Sequence, residues 1–216
     1  DIEAEGEKAA GAADAIFLGA IGLPSVRHAD GTEISPHLRL RDIYGLYAGA
    51  RPGKAFPNAP QRLADPAAAG LDLVIVREST EGLFYSAAVH GRAKVIGDEE
   101  VQDTLRITRK TTEKLHRFAC RLAEQRKEKG RPGRVTCVDK ANVFTSMAFF
   151  RKIFDEVVPE FPSVSPGYAY VDAMALDLVR KPWDYDVLVM ENMFGDILSD
   201  LAGGLVGGMG MAACGE

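Results

Sequence analysis

The feature that most constrains this chain is a regular alternation of short apolar runs with longer amphipathic windows. Leu71-Asp72-Leu73-Val74-Ile75-Val76 and Tyr185-Asp186-Val187-Leu188-Val189-Met190 are short and rich in branched residues, so each reads as a buried strand. Residues 134–138 and 168–171 read the same way, and 14–20 reads as a strand that ends in a Gly-rich turn. The windows between them are helical. Leu40, Ile43, Tyr44 and Tyr47 share one face of a helix over 38–47 that Arg51-Pro52 ends. Leu115, Phe118, Ala119 and Leu122 stripe a long helix over 102–129, which Gly130 stops. Met147, Phe150, Phe154 and Val157 stripe another over 146–161. One more helix follows Val171, and a last one opens at Phe194 and turns Gly-rich after Ala202. Residues 85–96 read as a hairpin or β-arm around His90-Gly91. Such alternation with short loops predicts an α/β fold with an at least partly parallel sheet.

Composition excludes several function classes. With 216 residues and 46% hydrophobic content, the chain can bury a core and is neither disordered nor a disulfide-dense miniprotein. Its net charge of −5 disfavours nucleic acid and anionic lipid as partners. No run of apolar residues is long enough to span a membrane, and the acidic start at Asp1 differs from a basic signal peptide. Cys120, Cys137 and Cys214 are odd in number and widely spaced, as free thiols in a reducing cytoplasm would be.

The strongest chemical signal is Glu191-Asn192-Met193-Phe194-Gly195-Asp196-Ile197-Leu198-Ser199-Asp200. It leaves a buried strand and opens a helix. Asp196 and Asp200 stand one turn apart on one helical face, where two carboxylates repel unless a cation lies between them. A hard ion such as Mg²⁺ or Mn²⁺ supplies that compensation; a solvated helix face is the alternative. Asp172 follows a short strand and reads either as a helix cap or as a further ligand. Arg39, Arg41 and Arg51 flank one helix, and Arg77 ends an apolar strand, where a guanidinium is costly to bury without an anion. Arg77 therefore reads as a carboxylate clamp or as the internal partner of Glu78 or Glu81. Lys140, leaving a strand, is a candidate base, though most lysines are simply solvated. Signatures of serine hydrolases, P-loops and the Gly-rich dinucleotide fold do not occur.

Together these segments resemble the metal-dependent β-decarboxylating dehydrogenases, the family of the isopropylmalate, isocitrate, homoisocitrate and tartrate/malate enzymes. The resemblance rests on Phe17-Leu18-Gly19-Ala20-Ile21-Gly22, Leu40-Arg41, Arg51-Pro52, Val76-Arg77-Glu78-Ser79-Thr80-Glu81-Gly82, Val138-Asp139-Lys140-Ala141-Asn142-Val143, Tyr170-Val171-Asp172-Ala173 and the Glu191 to Asp200 segment, in order. It implies an isopropylmalate dehydrogenase-like fold, a mixed sheet with flanking helices, with the cofactor domain incomplete. Residues 1–46 would be part of the cofactor domain, 47–206 the substrate and dimerisation domain, and 207–216 a return to the cofactor domain. The family's opening Gly-Asp-Gly-Ile-Gly turn and closing His-Gly-Ser-Ala-Pro-Asp loop do not occur, so the resemblance implies truncation at both ends.

By the same resemblance Arg41, Arg51 and Arg77 bind the acid substrate, and Asp196 and Asp200 bind Mg²⁺ or Mn²⁺. Asp172 completes the ion's shell from the partner subunit, and Lys140 is the partner's catalytic lysine, accepting the hydroxyl proton in concert with Asp172 or water, so the implied assembly is a homodimer with shared active sites. Asn142 lies beside the nicotinamide of NAD, with NADP left open. The family's proton-donating tyrosine falls at Phe84, and neighbouring Tyr85 is the expected replacement. Ser35 and His37 favour a polar substituent on the substrate. The implied function is oxidative decarboxylation of a malate-type 2-hydroxy acid: 3-isopropylmalate, isocitrate, tartrate or D-malate. The alternative is a non-catalytic regulatory or scaffold subunit of the same family.

Overall fold

A computed structural model describes residues 4–19, 23, 25–29, 31, 33–60, 62–87 and 93–216. They separate into two compact units, Asp1–Leu46 and Tyr47–Glu216.

The first unit contains α1 (Ala4–Ala12) and α2 (Pro36–Tyr44). The Tyr44 hydroxyl donates to the Glu7 carbonyl at 2.6 Å, and Gly11 leaves room for that ring. Gly45, left-handed at φ 59°, ends α2 by donating to the Arg41 and Asp42 carbonyls. The expected helix over 38–47 therefore starts and stops earlier, and Gly45 rather than Arg51-Pro52 terminates it. The strand expected over 14–20 is not formed by its described residues, and Phe17 is 100% exposed. A strand needs a neighbour for its N–H and C=O groups, and none of the described residues supplies one.

The second unit is built on β1 (Ala48–Lys54), β2 (Asp72–Glu78), α3 (Phe84–Ala87), β3 (Lys94–Ile96), β4 (Glu100–Gln102), α4 (Arg109–Glu128), β5 (Arg134–Asp139), α5 (Thr145–Val157), β6 (Ser165–Tyr170), α6 (Val171–Arg180), β7 (Val187–Met190) and α7 (Asn192–Leu205). Five strands form one mixed sheet in the order β1-β2-β7-β5-β6. β1 is antiparallel to β2, and the other pairs are parallel. Pro52 fits in β1 because an edge strand can spare an N–H donor. The β-arm expected over 85–96 is displaced: residues 85–87 lie in helix α3, and the hairpin pairs β3 with β4 instead. Its turn carries Gly97 at φ 55°, and His90-Gly91 lies outside the described residues.

The apolar runs split by alternation. Val74, Val76, Val187 and Val189 pack with Leu115, Ala119, Phe150 and Phe154 of α4 and α5. Leu73, Ile75, Leu188 and Met190 pack with Met174, Leu178, Leu198 and Ala202 of α6 and α7. Strands buried on both faces read as continuous apolar runs, which is why these were legible. The helix expected from 102 begins at Arg109, where Glu81 accepts from the Thr108 N–H at 2.8 Å and holds the start of α4. α5 stops at Val157, and a short 3-10 turn over Val158–Glu160 carries Pro159.

Parallel strands bring their carboxyl ends to one edge of the sheet. Arg77 pairs in register with Met190, Met190 with Val138, and Asp139 with Tyr170. The residues that follow each strand therefore share that edge.

Two outcomes test this packing. A Cβ on Gly195 would lie 2.6 Å from the Cβ and Cγ of Arg77, so α7 approaches β2 only because this position has no side chain. Gly195→Ala is expected to cost about 1–3 kcal/mol in denaturant unfolding, as overpacking does; an unchanged midpoint would refute the close approach. Glu78, buried at the end of β2, accepts from the Thr80 N–H, the Thr80 hydroxyl and the Glu81 N–H. Burial nevertheless pushes its carboxyl up to about 7. The folded state then holds a proton that the unfolded state has released. This contribution to stability is complete below the ordinary carboxyl range and is lost as pH rises through about 7. Wild-type stability should fall relative to Glu78→Gln between pH 5 and 8 (about the range of that titration); parallel pH curves would refute it.

Candidate functional site

The site begins with Arg77 at the carboxyl end of β2. It is 2% exposed, a position that an unpaired guanidinium cannot hold. Its Nε and Nη2 both donate to Asn192 Oδ1, at 2.9 and 2.7 Å. Its Nη1 forms a short ion pair with Asp196. The Phe84 ring lies over the guanidinium with its centroid 5.0 Å away. Arg51, on β1, reaches the same helix. Its Nη1 donates to Ser199 Oγ at 2.7 Å and lies 3.5 Å from Asp196 Oδ1 and 3.9 Å from Asp200 Oδ1.

Helix α7 thus presents Asn192, Asp196, Ser199 and Asp200 on one face to two arginines from neighbouring strands. Glu191 caps this helix by accepting from the Phe194 N–H at 2.8 Å, and its burial raises its own carboxyl. The Asp196 and Asp200 side chains stay 42% and 59% exposed, so they can still receive a ligand. Their hard oxygen donors suit Mg²⁺ or Mn²⁺.

Lys140 and Asp172 form a second cluster. Lys140 follows β5, and its Nζ donates to Asp172 Oδ1 at 2.6 Å across the start of α6. Asp172 lies in the first turn of α6 rather than at its cap, is 67% exposed, and is held below the usual carboxylate range by that ammonium. Arg151 braces the neighbouring strand end by a two-point ion pair with buried Asp139. Among the described residues, no three His, Cys, Asp or Glu side chains of one chain converge. A single copy therefore offers Asp196 and Asp200 as a pair and Asp172 separately.

The other expected residues fall as follows. Arg41 is buried on α2 of the first unit, where Ser35 precedes that helix and His37 lies in its first turn. Asn142 is exposed in the turn after β5. Tyr85 has its ring against the Arg106 guanidinium at 4.5 Å, whereas the ring facing Arg77 is Phe84. Sequence reasoning passed over Asn192 and Ser199. Their signal was helical spacing: both lie on the face that carries Asp196 and Asp200. All three cysteines are free thiols, and among the described residues no helix is long and apolar enough to cross a membrane.

Known proteins share this architecture. Isocitrate dehydrogenase from Methylococcus capsulatus superposes with a TM-score of 0.73 at 35% identity, over 88% of this chain and 54% of that one. The TT0538 protein from Thermus thermophilus superposes with a TM-score of 0.75 at 35% identity, over 88% of this chain and 36% of that one. A 3-isopropylmalate dehydrogenase from Carboxydothermus hydrogenoformans is 39% identical over 204 residues, which are 92% of this chain and 53% of its own. A 3-isopropylmalate/3-methylmalate dehydrogenase from Methanocaldococcus jannaschii is 40% identical over 201 residues, 92% of this chain and 55% of its own. The chain thus spans about half the length of the curated relatives it matches. The profile described as isocitrate/isopropylmalate dehydrogenase matches residues 1–216, and the chain belongs to that family.

Proposed function

We propose that the protein takes part in NAD- and metal-dependent oxidative decarboxylation of a malate-type 2-hydroxy acid, with 3-isopropylmalate first among the candidates. The observation that carries this reading is the convergence of Arg51 and Arg77 on Asp196, with Asp200 one turn further along α7. The two curated relatives described above are named for that substrate, which supports placing it first. A non-catalytic scaffold is not favoured, since it has no use for a costly cluster of charges at the edge of a sheet.

In this reading Arg51 and Arg77 grip a substrate carboxylate through charge-assisted hydrogen bonds. Asp196 and Asp200 of one copy and the partner subunit's Asp172 would hold Mg²⁺ or Mn²⁺, which would supply Lewis-acid polarisation of the substrate oxygen. NAD or NADP, held in part by Asn142, would supply the hydride acceptor. The partner subunit's Lys140, in concert with the partner subunit's Asp172, would take the substrate's hydroxyl proton. The carboxylate β to the new ketone then departs as CO₂, and Tyr85 is the phenol nearest in sequence to return a proton to carbon 3. Phe84, stacked on Arg77, keeps water from that face of the guanidinium.

A homodimer follows from the same reading. Leu176 and Val179 of α6 and Ile197 of α7 are exposed on two helices that pack together, and these helices carry Asp172, Asp196 and Asp200. An apolar surface beside an incomplete ion site fits a second copy of this chain.

The function is tested by incubating the full gene product with Mn²⁺, NAD and a panel of 3-isopropylmalate, isocitrate, D-malate and tartrate. NADH should form with at least one acid; none, with Mn²⁺ bound, would contradict the proposal. Asp196→Asn is expected to weaken Mn²⁺ binding by more than about tenfold, as loss of a charged oxygen ligand should. Unchanged affinity would remove Asp196 from the ligand set. Ile197→Glu with Leu176→Glu should halve the mass seen in sedimentation and weaken Mn²⁺ binding together. A dimer that survives both changes would place the interface elsewhere.

A further inference from the structure

We infer that Asn192 is the positioning residue for Arg77: a neutral anchor that fixes the guanidinium plane while leaving its charge for a substrate carboxylate. This rests on the proposed function, in which Arg77 binds that carboxylate. Three observations converge on it. Two nitrogens of Arg77, Nε and Nη2, share the one Asn192 oxygen, a two-point contact that sets the orientation of a planar fork. The amide is itself held, because Asn192 Nδ2 donates to the Glu81 carbonyl at 2.9 Å, so its oxygen is the end turned to Arg77. The surroundings are shaped for this contact. Asn192 is 1% exposed, and a Cβ on Gly82, at φ 72°, would lie 2.9 Å from its Cβ.

The amide is informative because the helix alone would prefer an acid. Asn192 is the first residue of α7, where a carboxylate gains from the helix dipole. An aspartate could accept from Arg77 equally well. It would also neutralise the guanidinium, set a carboxylate against the Glu81 carbonyl and add a third acid to the face of Asp196 and Asp200. A neutral acceptor avoids all three. It also gives Arg77 a fixed partner that does not depend on Asp196, whose carboxylate must turn to an ion in the proposed reaction. Arg51 has the same pairing of a neutral partner, Ser199, with a charged one, Asp196.

The test measures binding by the full gene product with Mn²⁺ saturating. Two ligands are compared: 3-isopropylmalate, first among the proposed substrates, and its half-amide, which lacks one negative charge. Wild type should bind the diacid at least about tenfold more tightly, the scale of one charge-assisted hydrogen bond. Asn192→Asp should erase most of that preference while Mn²⁺ binding is not weakened by more than about twofold, a pattern that a general loss of structure would not give. Asn192→Ser, which keeps a hydroxyl but cannot span both nitrogens, should reduce the preference by an intermediate amount and serves if Asn192→Asp does not fold. A wild-type preference retained in whichever variant folds overturns the inference alone. A wild type that binds Mn²⁺ but neither ligand overturns the proposed function and the inference with it.

Discussion

Everything at the candidate site depends on one ionic contact, the Asp196 carboxylate shared between Arg51 and Arg77. Arg77 is buried and must be compensated, so α7 has to lie against β2 at this level. Glycine at 195 allows that approach, and Glu191 fixes where the helix starts. The contact also ties β1 to the layer beneath it, because Arg51 leaves the edge strand to reach the same helix. Packing, capping and charge compensation thus act on a single helix, and that helix carries the two acids proposed to hold the ion.

The sheet explains why residues so distant in sequence can act together. Arg77 lies near the end of one strand, Lys140 and Asp172 follow two others, and Asn192 and Asp196 follow a fourth. Parallel pairing in register places all four strand ends along one edge. Apolar residues on both faces hold the strands, so the edge is rigid while the side chains beyond it remain polar and accessible. The hub at Glu78 to Glu81 is part of the same edge. Glu81 holds the start of α4, Glu78 closes the turn, and Gly82 follows with no side chain to obstruct Glu191.

Legibility in the sequence followed the strength of local physics. β2, β5 and β7 were readable because strands buried on both faces are near-continuous apolar runs, with charged residues such as Arg77, Glu78 and Asp139 only towards their ends. β1 was not, because Ala48-Gly49-Ala50-Arg51-Pro52-Gly53-Lys54 has no apolar alternation and is a strand only by virtue of its antiparallel neighbour. The start of α4 was placed too early because its limit comes from Glu81, far away in sequence. At the site, Asp196, Asp200 and Arg77 stood out by charge, whereas Asn192 and Ser199 are neutral and ordinary in composition. Only the fold shows that they lie within reach of the two arginines. Asp172 read as a cap or a ligand, and it meets Lys140 because β5 and β6 pair in parallel and end side by side.

The central claim is that acids from two copies of the chain enclose one hard ion opposite the paired arginines. Crystals of the full gene product grown with Mn²⁺ would test it most directly through the anomalous signal of the metal. A single peak between Asp196 and Asp200 of one copy and the partner subunit's Asp172 is the expected result. A peak away from α7, or Asp172 still paired with Lys140 of its own chain beside an occupied ion site, would contradict the account.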